Sequence, residues 1–156
     1  MEKDIYHNKL KNWLDSKSVK YEHLIFQESC HSIEEAINAS NEPIEAFVKN
    51  VCMIDMNSKL IVAIVSGKDR ASTSRVSKAL SIERPRIATA KEILEQTGYM
   101  PGGIPSFSYQ AQFLIDPKVT EQEYILTGGG TEYSLLKIKV EDMILLTNAK
   151  ISRVRK

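Results

Sequence analysis

Cysteine and histidine are scarce in this chain, and each shortage removes a class of chemistry. The two cysteines, Cys30 and Cys52, have no CxxC spacing and no histidine at ligand distance in sequence, which excludes a disulfide framework and a zinc site. All three histidines, His7, His23 and His31, fall in the first fifth of the chain, with no G-x-S-x-G elbow to serve. A nucleophilic triad is therefore not encoded, and each histidine reads as a surface residue. Acidic residues are scattered over helix faces, so no carboxylate pair for glycoside chemistry stands out. An excess of either charge is missing too: 21 Lys and Arg against 20 Asp and Glu leave +1. No bulk electrostatic pull toward nucleic acid follows, and any RNA contact must be local. The one basic cluster, Lys150, Arg153, Arg155 and Lys156, reads as a solvated tail rather than a phosphate track. The longest apolar run, Leu60 to Val65, is six residues, far short of a membrane span. Met1-Glu2-Lys3-Asp4 opens without an apolar leader, so the expectation is a cytoplasmic protein with no membrane partner.

What is present suits a globular domain. The chain has 156 residues, 42% apolar and 26% charged, enough to close a core without staples, and residues 1–156 read as a single domain. Ile5, Tyr6, Leu10, Trp13 and Leu14 recur at helical spacing, which predicts an amphipathic helix over 3–16 with Trp13 packed on the core. Val19 to Phe26 reads as a strand. Ser32-Ile33-Glu34-Glu35 is a capping box opening a helix to about Ala39. Phe47 to Met56 and Lys59 to Val65 form a hairpin closed at Asn57-Ser58, and the unbroken apolar run of its second arm predicts a central strand covered on both faces. A helix from Ser72 to Leu80, a short strand at Arg86 to Ala88 and a second capping box at Thr89 to Glu92 follow, with Gly98 ending that helix. Strands are expected at 112–116, 123–126 and 133–140, a helix at 141–147 and a last edge strand at 151–154. The sum is an α/β fold of the α+β type, with a mixed, largely antiparallel β-sheet flanked by short helices.

Two glycine-rich stretches interrupt this pattern. Gly98 to Tyr109 holds three of the seven glycines and two of the five prolines, which predicts a stiff loop of bare amide groups suited to a carbonyl or phosphate, or else an ordinary helix-to-strand connection. Gly128-Gly129-Gly130 stands between two strands. Neither has the strand, glycine turn and helix order of a P-loop or dinucleotide fingerprint, so no nucleotide cofactor and no metal is expected. Lys49 lies between Val48 and Asn50 in the hairpin's first arm, where it either snorkels to the rim or points into a cleft. Such a constellation lacks a base or nucleophile. Its chemistry would rest on backbone donors aimed at a carbonyl, a nearby cation and a hydroxyl brought by the substrate.

The order of these motifs resembles the YbaK/prolyl-tRNA synthetase-associated domains, which deacylate mischarged tRNA. The resemblance runs from the first helix almost to the C-terminus. It is carried by the lysine-bearing strand Phe47-Val48-Lys49-Asn50-Val51, the passage Arg84 to Ile93, the glycine loop, and Gly128-Gly129-Gly130 with Leu135, Lys137 and Ile138. It implies a partial barrel, no cofactor, the acceptor end of an aminoacyl-tRNA as partner, and an aminoacyl-tRNA synthetase as a further partner; no DNA is implied. It also implies roles. Lys49 would position the substrate, Gly102, Gly103 and Ile104 would supply backbone donors to the ester carbonyl, and a ribose hydroxyl of the tRNA would help activate water. Pro105, Ser106, Thr127, Gly128, Gly129, Tyr133 and Ser134 would line the substrate, with Thr127 and Gly128 at the adenosine end. Ser106 stands where the family's G-x-x-x-P loop has its closing proline, while Tyr133 and Ser134 replace a histidine and an acidic residue found in other members. The expected activity is deacylation in trans of a small amino acid, Ala, Ser, Cys or Pro; the alternative is a binding module of the same fold that has lost hydrolysis.

Overall fold

The computed structural model describes residues 2–156. Helix α1 (Glu2–Ser16) buries Leu10 and Leu14 completely and stacks Trp13 on Phe107, with ring centroids 5.6 Å apart and planes 9° off parallel. Strand β1 (Tyr21–Ile25) follows. Helix α2 (Ile33–Ser40) starts where expected: the Ser32 hydroxyl accepts the Glu35 N–H at 3.1 Å, and Asn41 closes the helix in the left-handed region. Strands β2 (Val48–Ile54) and β3 (Leu60–Ser66) form the hairpin. Its turn is longer than the expected two residues, because the Asp55 carboxylate accepts the N–H groups of Asn57 and Lys59 and holds the chain between them.

Helix α3 (Thr73–Leu80), strand β4 (Arg86–Ile87) and helix α4 (Ala90–Thr97) come next, and Thr89 and Glu92 form the capping box of α4. The glycine loop leads to β5 (Gln112–Ile115), a 3-10 turn at Pro117–Glu121, β6 (Tyr124–Gly128), β7 (Ser134–Lys139), α5 (Val140–Thr147) and β8 (Lys150–Ile151).

The strands form two sheets. One is antiparallel, in the order β1-β7-β6, and the other is mixed, in the order β4-β2-β3-β5-β8. Antiparallel pairing dominates, as expected, while β3–β5 and β5–β8 are parallel. The sheets touch through a parallel bridge between Phe47 and Leu126 and do not close into a barrel. The last strand is also shorter than expected. Residues beyond Ile151 leave the sheet and run back along α3, because Ser72 N–H donates to the Val154 carbonyl at 2.7 Å and Lys156 N–H to the Arg70 carbonyl at 2.8 Å.

All seven residues of β3 are buried, and alternation sends them to two sides. Leu60, Val62 and Ile64 join Leu10, Leu14, Phe107 and Phe113 in one cluster, and Ile61, Ala63 and Val65 join Val76, Leu114 and Val154 in another. A third cluster, with Cys30, Ala36, Phe47, Leu126 and Leu135, gathers under α2 where the sheets meet. No helix among the described residues is long and apolar enough to cross a membrane.

Candidate functional site

A cleft of about 340 Å³ opens over that third cluster, between the N-terminal end of α2, the start of β2, the glycine loop and the end of β6. Its floor is apolar, made by Ile33, Ala36, Phe47, Leu126 and Leu135. Its rim is polar and draws on all four elements. Lys49 and Asn50 come from β2, Gly102 and Ile104 from the loop, Thr127 and Gly128 from β6, and His31 and Ser32 from the approach to α2. Lys49 and the loop, far apart in sequence, thus line one hollow. The Lys49 ammonium donates to the Asp69 carbonyl at 3.0 Å on the rim, which leaves it two further N–H donors.

Behind the rim lies a closed ring of hydrogen bonds. Ser106 Oγ donates to Asn50 Oδ1 at 2.6 Å, so the 2.8 Å contact between Ser106 and Thr127 has Thr127 as donor. Thr127 Oγ1 in turn accepts from Asn50 Nδ2 at 2.9 Å. The second Nδ2 proton of Asn50 goes to the Ile104 carbonyl at 3.1 Å. Every polar atom of the Asn50 amide is therefore used, and each link polarises the next. Ser106 is wholly buried and Thr127 nearly so. The expected substrate contact at Ser106 is replaced by a structural one: its hydroxyl fixes Asn50, which fixes the Ile104 peptide.

The two glycine stretches pack backbone on backbone. Gly130 N–H donates to the Gly103 carbonyl at 2.8 Å. A Cβ on Gly128 would lie 2.2 Å from the Ile104 carbonyl oxygen, so β6 and the loop approach as closely as they do only without a side chain there. Gly102 has φ +92° and would meet the His31 ring if substituted. Gly103 spends its N–H on the Met100 carbonyl at 3.3 Å, whereas the N–H groups of Gly102 and Ile104 have no acceptor among the described residues.

Other expected contacts lie outside the cleft lining. Pro105 is buried and its carbonyl accepts from the Tyr109 hydroxyl at 2.7 Å. Gly129 is buried, its carbonyl accepting from His23 Nε2 at 2.8 Å. Ser134 is buried and turned onto Thr131, with oxygens 2.8 Å apart. Tyr133 lines a separate hollow with Tyr6, Met100 and Pro101.

Sequence reading missed His31, Asn50 and Cys30. His31 is exposed, as its sequence reading expects, but it precedes a helix cap and lies over Gly102 at the mouth of the cleft, 3.8 Å from the Glu132 carboxylate. A second polar residue beside Lys49 in a central strand was the signal for Asn50. Cys30 lines the cleft, yet burial first, then Glu35 and Glu28, push its thiol pKa up, so it is held protonated and is no nucleophile. Burial likewise pushes Cys52 to about 12. Among the described residues no three His, Cys, Asp or Glu gather as metal ligands would.

Comparison with known proteins adds a family and a fold. A sequence profile described as the aminoacyl-tRNA editing domain matches residues 27–146. No curated protein matches the sequence. Among solved structures, the hypothetical protein APE2540 superposes with a TM-score of 0.88 at 22% identity, covering 95% of this chain and 99% of the other. A candidate trans-editing enzyme for prolyl tRNA synthetase superposes with a TM-score of 0.86 at 20% identity, covering 97% of each chain. A candidate signal transduction protein from Marinobacter aquaeolei VT8 matches with a TM-score of 0.71 at 16% identity over 95% of this chain and 30% of its own.

Proposed function

The chain belongs to the aminoacyl-tRNA editing domain family, and from that premise we propose that it is a deacylase acting in trans on tRNA mischarged with a small amino acid. The observation that carries this reading is the convergence of Lys49, Gly102, Ile104 and Thr127 on one cleft whose floor is apolar. The reading takes residues 1–156 as one editing domain working in the cytoplasm.

In this mechanism the terminal adenosine enters along Thr127 and Gly128, and the amino acid side chain rests on Ile33, Ala36 and Phe47. The Lys49 ammonium steers the ester group by charge and hydrogen bonding. A water adds to the ester carbonyl while the vicinal ribose hydroxyl accepts the water's proton and passes its own to the leaving ribose oxygen. The carbon–oxygen bond to the ribose breaks, and free amino acid and deacylated tRNA result. Negative charge on the tetrahedral oxygen is met by the N–H groups of Gly102 and Ile104, held in place beforehand by the Asn50 ring, as differential stabilisation of the transition state requires. The cleft needs no protein base or nucleophile.

The floor selects small uncharged side chains, Ala, Ser, Cys or Pro, over larger or charged ones. One methylene is worth only about 1–3 kcal/mol in such a pocket. The purified protein, incubated with a panel of aminoacyl-tRNAs, should release at least one of these amino acids faster than buffer. No acceleration on any of them would remove the proposal. Lys49→Ala should lower kcat/KM by about 10²-fold or more while circular dichroism stays unchanged. Tight binding of a non-hydrolysable aminoacyl-adenosine analogue without turnover would instead identify a binding module.

A further inference from the structure

The near-neutral net charge conceals a segregation that only the fold exposes. Residues 70–82 and 150–156 contain Arg70, Arg75, Lys78, Lys150, Arg153, Arg155 and Lys156, seven of the 21 basic residues and none of the 20 acidic ones, leaving 14 basic against 20 acidic elsewhere. The two segments are far apart in sequence but lie side by side. The Lys150 ammonium donates to the Ala79 carbonyl at the end of α3 at 2.5 Å, and Ser72 N–H at its start meets the Val154 carbonyl at 2.7 Å. Lys156 N–H then donates to the Arg70 carbonyl. The C-terminal segment is thus an antiparallel strap along α3. Arg70, Lys78, Lys150, Arg153 and Lys156 are exposed.

This band starts at the cleft. Lys49, on the cleft rim, donates to the carbonyl of Asp69, the residue before Arg70. Of the acidic groups beside the band, Asp116 is fully buried and paired with Arg155 at 2.8 Å, while Asp69 is half-buried, with its Oδ2 shielded from solvent. Beyond the end of α3 stand one exposed acid, Glu83, and one exposed base, Arg84, whose Nε donates to Thr73 Oγ1 at 2.6 Å.

We propose that the α3 and C-terminal strap form a phosphate-binding track, which holds the sugar–phosphate backbone of the tRNA acceptor stem while its terminal adenosine occupies the cleft. The choice of a tRNA rests on the deacylase reading above; the track itself rests on charge and continuity with the cleft. Eight helical residues span about 12 Å, room for about three phosphates of one strand at roughly 3.4 Å of rise each. Arg and Lys on such a surface contact phosphate without reading sequence.

The test compares two triple variants with equal loss of charge, Arg70→Gln/Arg153→Gln/Lys156→Gln in the band and Lys20→Gln/Lys59→Gln/Lys91→Gln away from it. Unfractionated deacylated tRNA is titrated across a salt series, and hydrolysis of the alanyl, seryl, cysteinyl and prolyl esters of adenosine is measured in parallel. The band variant should bind tRNA about tenfold more weakly or worse, with a log–log salt slope shallower by about 2, since each phosphate contact contributes roughly 0.7–0.9. The control variant should bind as wild type does, and both variants should hydrolyse the adenosine esters at the wild-type rate. Equal loss in both variants, or unchanged binding in the band variant, overturns the track. Salt-dependent binding lost only in the band variant, with no protein hydrolysing any ester, keeps the track and removes the deacylase reading.

Discussion

Ser106 carries more of the site than its size suggests. Its hydroxyl has no access to solvent and joins Asn50 to Thr127. Ser106→Ala leaves Asn50 Oδ1 without its donor and breaks the ring, so stability should fall by about 1–3 kcal/mol, read from the urea midpoint at constant m. On the deacylase reading, turnover should fall with it, because the Ile104 carbonyl is then held by a looser amide. None of this is legible locally: the partners stand 56 and 21 positions away, and a serine in place of a proline reads as a loss when it supplies a hydrogen bond. Lys49 and the glycine loop were legible, because a cation in an apolar strand and a proline-stiffened run break local pattern. His23 was not. Its ring stacks on His7 at 4.0 Å and donates to the Gly129 carbonyl, while Nδ1 is buried with no hydrogen-bond partner among the described residues. Burial above all, with His7 and Lys11 nearby, lowers its pKa below 6.5, and the bond to Gly129 only partly opposes this. The unfolded chain therefore takes up a proton more readily in that window, so this contribution is fully present above pH 6.5 and is lost as pH falls toward the folded-state pKa. Unfolding midpoints measured against pH should show that slope in wild type and a shallower one in His23→Gln.

At the scale of elements, the C-terminal strap departs most from its sequence. Composition suggests a solvated tail, and only the apolar pair Ile151 and Val154 hints at packing. What fixes it is Asp116, 38 positions upstream, whose Oδ1 accepts the Val154 N–H at 2.9 Å. Burial alone would raise the Asp116 pKa, but the N–H groups of Val154, Lys118 and Arg155 and the Arg155 guanidinium outweigh it and hold the carboxyl below its usual range. Arg155→Ala removes the one cation from a buried carboxylate, and a loss of about 3–5 kcal/mol is expected from broken pairs of this kind. Equilibrium denaturation checks it. The capped helices behaved differently: Ser32 and Thr89 act within four residues of their own positions, which is why the starts of α2 and α4 could be read directly.

Across the whole molecule, the cleft sits where two sheets meet rather than within either. Local pattern predicts strands and the hairpin, but the parallel pairings of β5 and the division into two sheets depend on which distant strands become neighbours. A ligand bridging the loop and β6 should tie the sheets together. A non-hydrolysable aminoacyl-adenosine analogue at 100 times its Kd is expected to stabilise the fold by about 2.7 kcal/mol, and hydrogen exchange should slow on both sides of the Phe47–Leu126 bridge. The seam at Gly103 and Gly128, where an added Cβ would strike the main chain of Thr131 and of Ile104, has a further consequence for how such a protein can diverge. Where two main chains touch directly, mutation can only add atoms, so drift at these positions abolishes the site and cannot retune it. On the deacylase reading, changes in which amino acid is accepted would then be written on the α2 wall, around Ile33 and Ala36, where a methyl group more or less alters the fit and leaves the glycine seam intact.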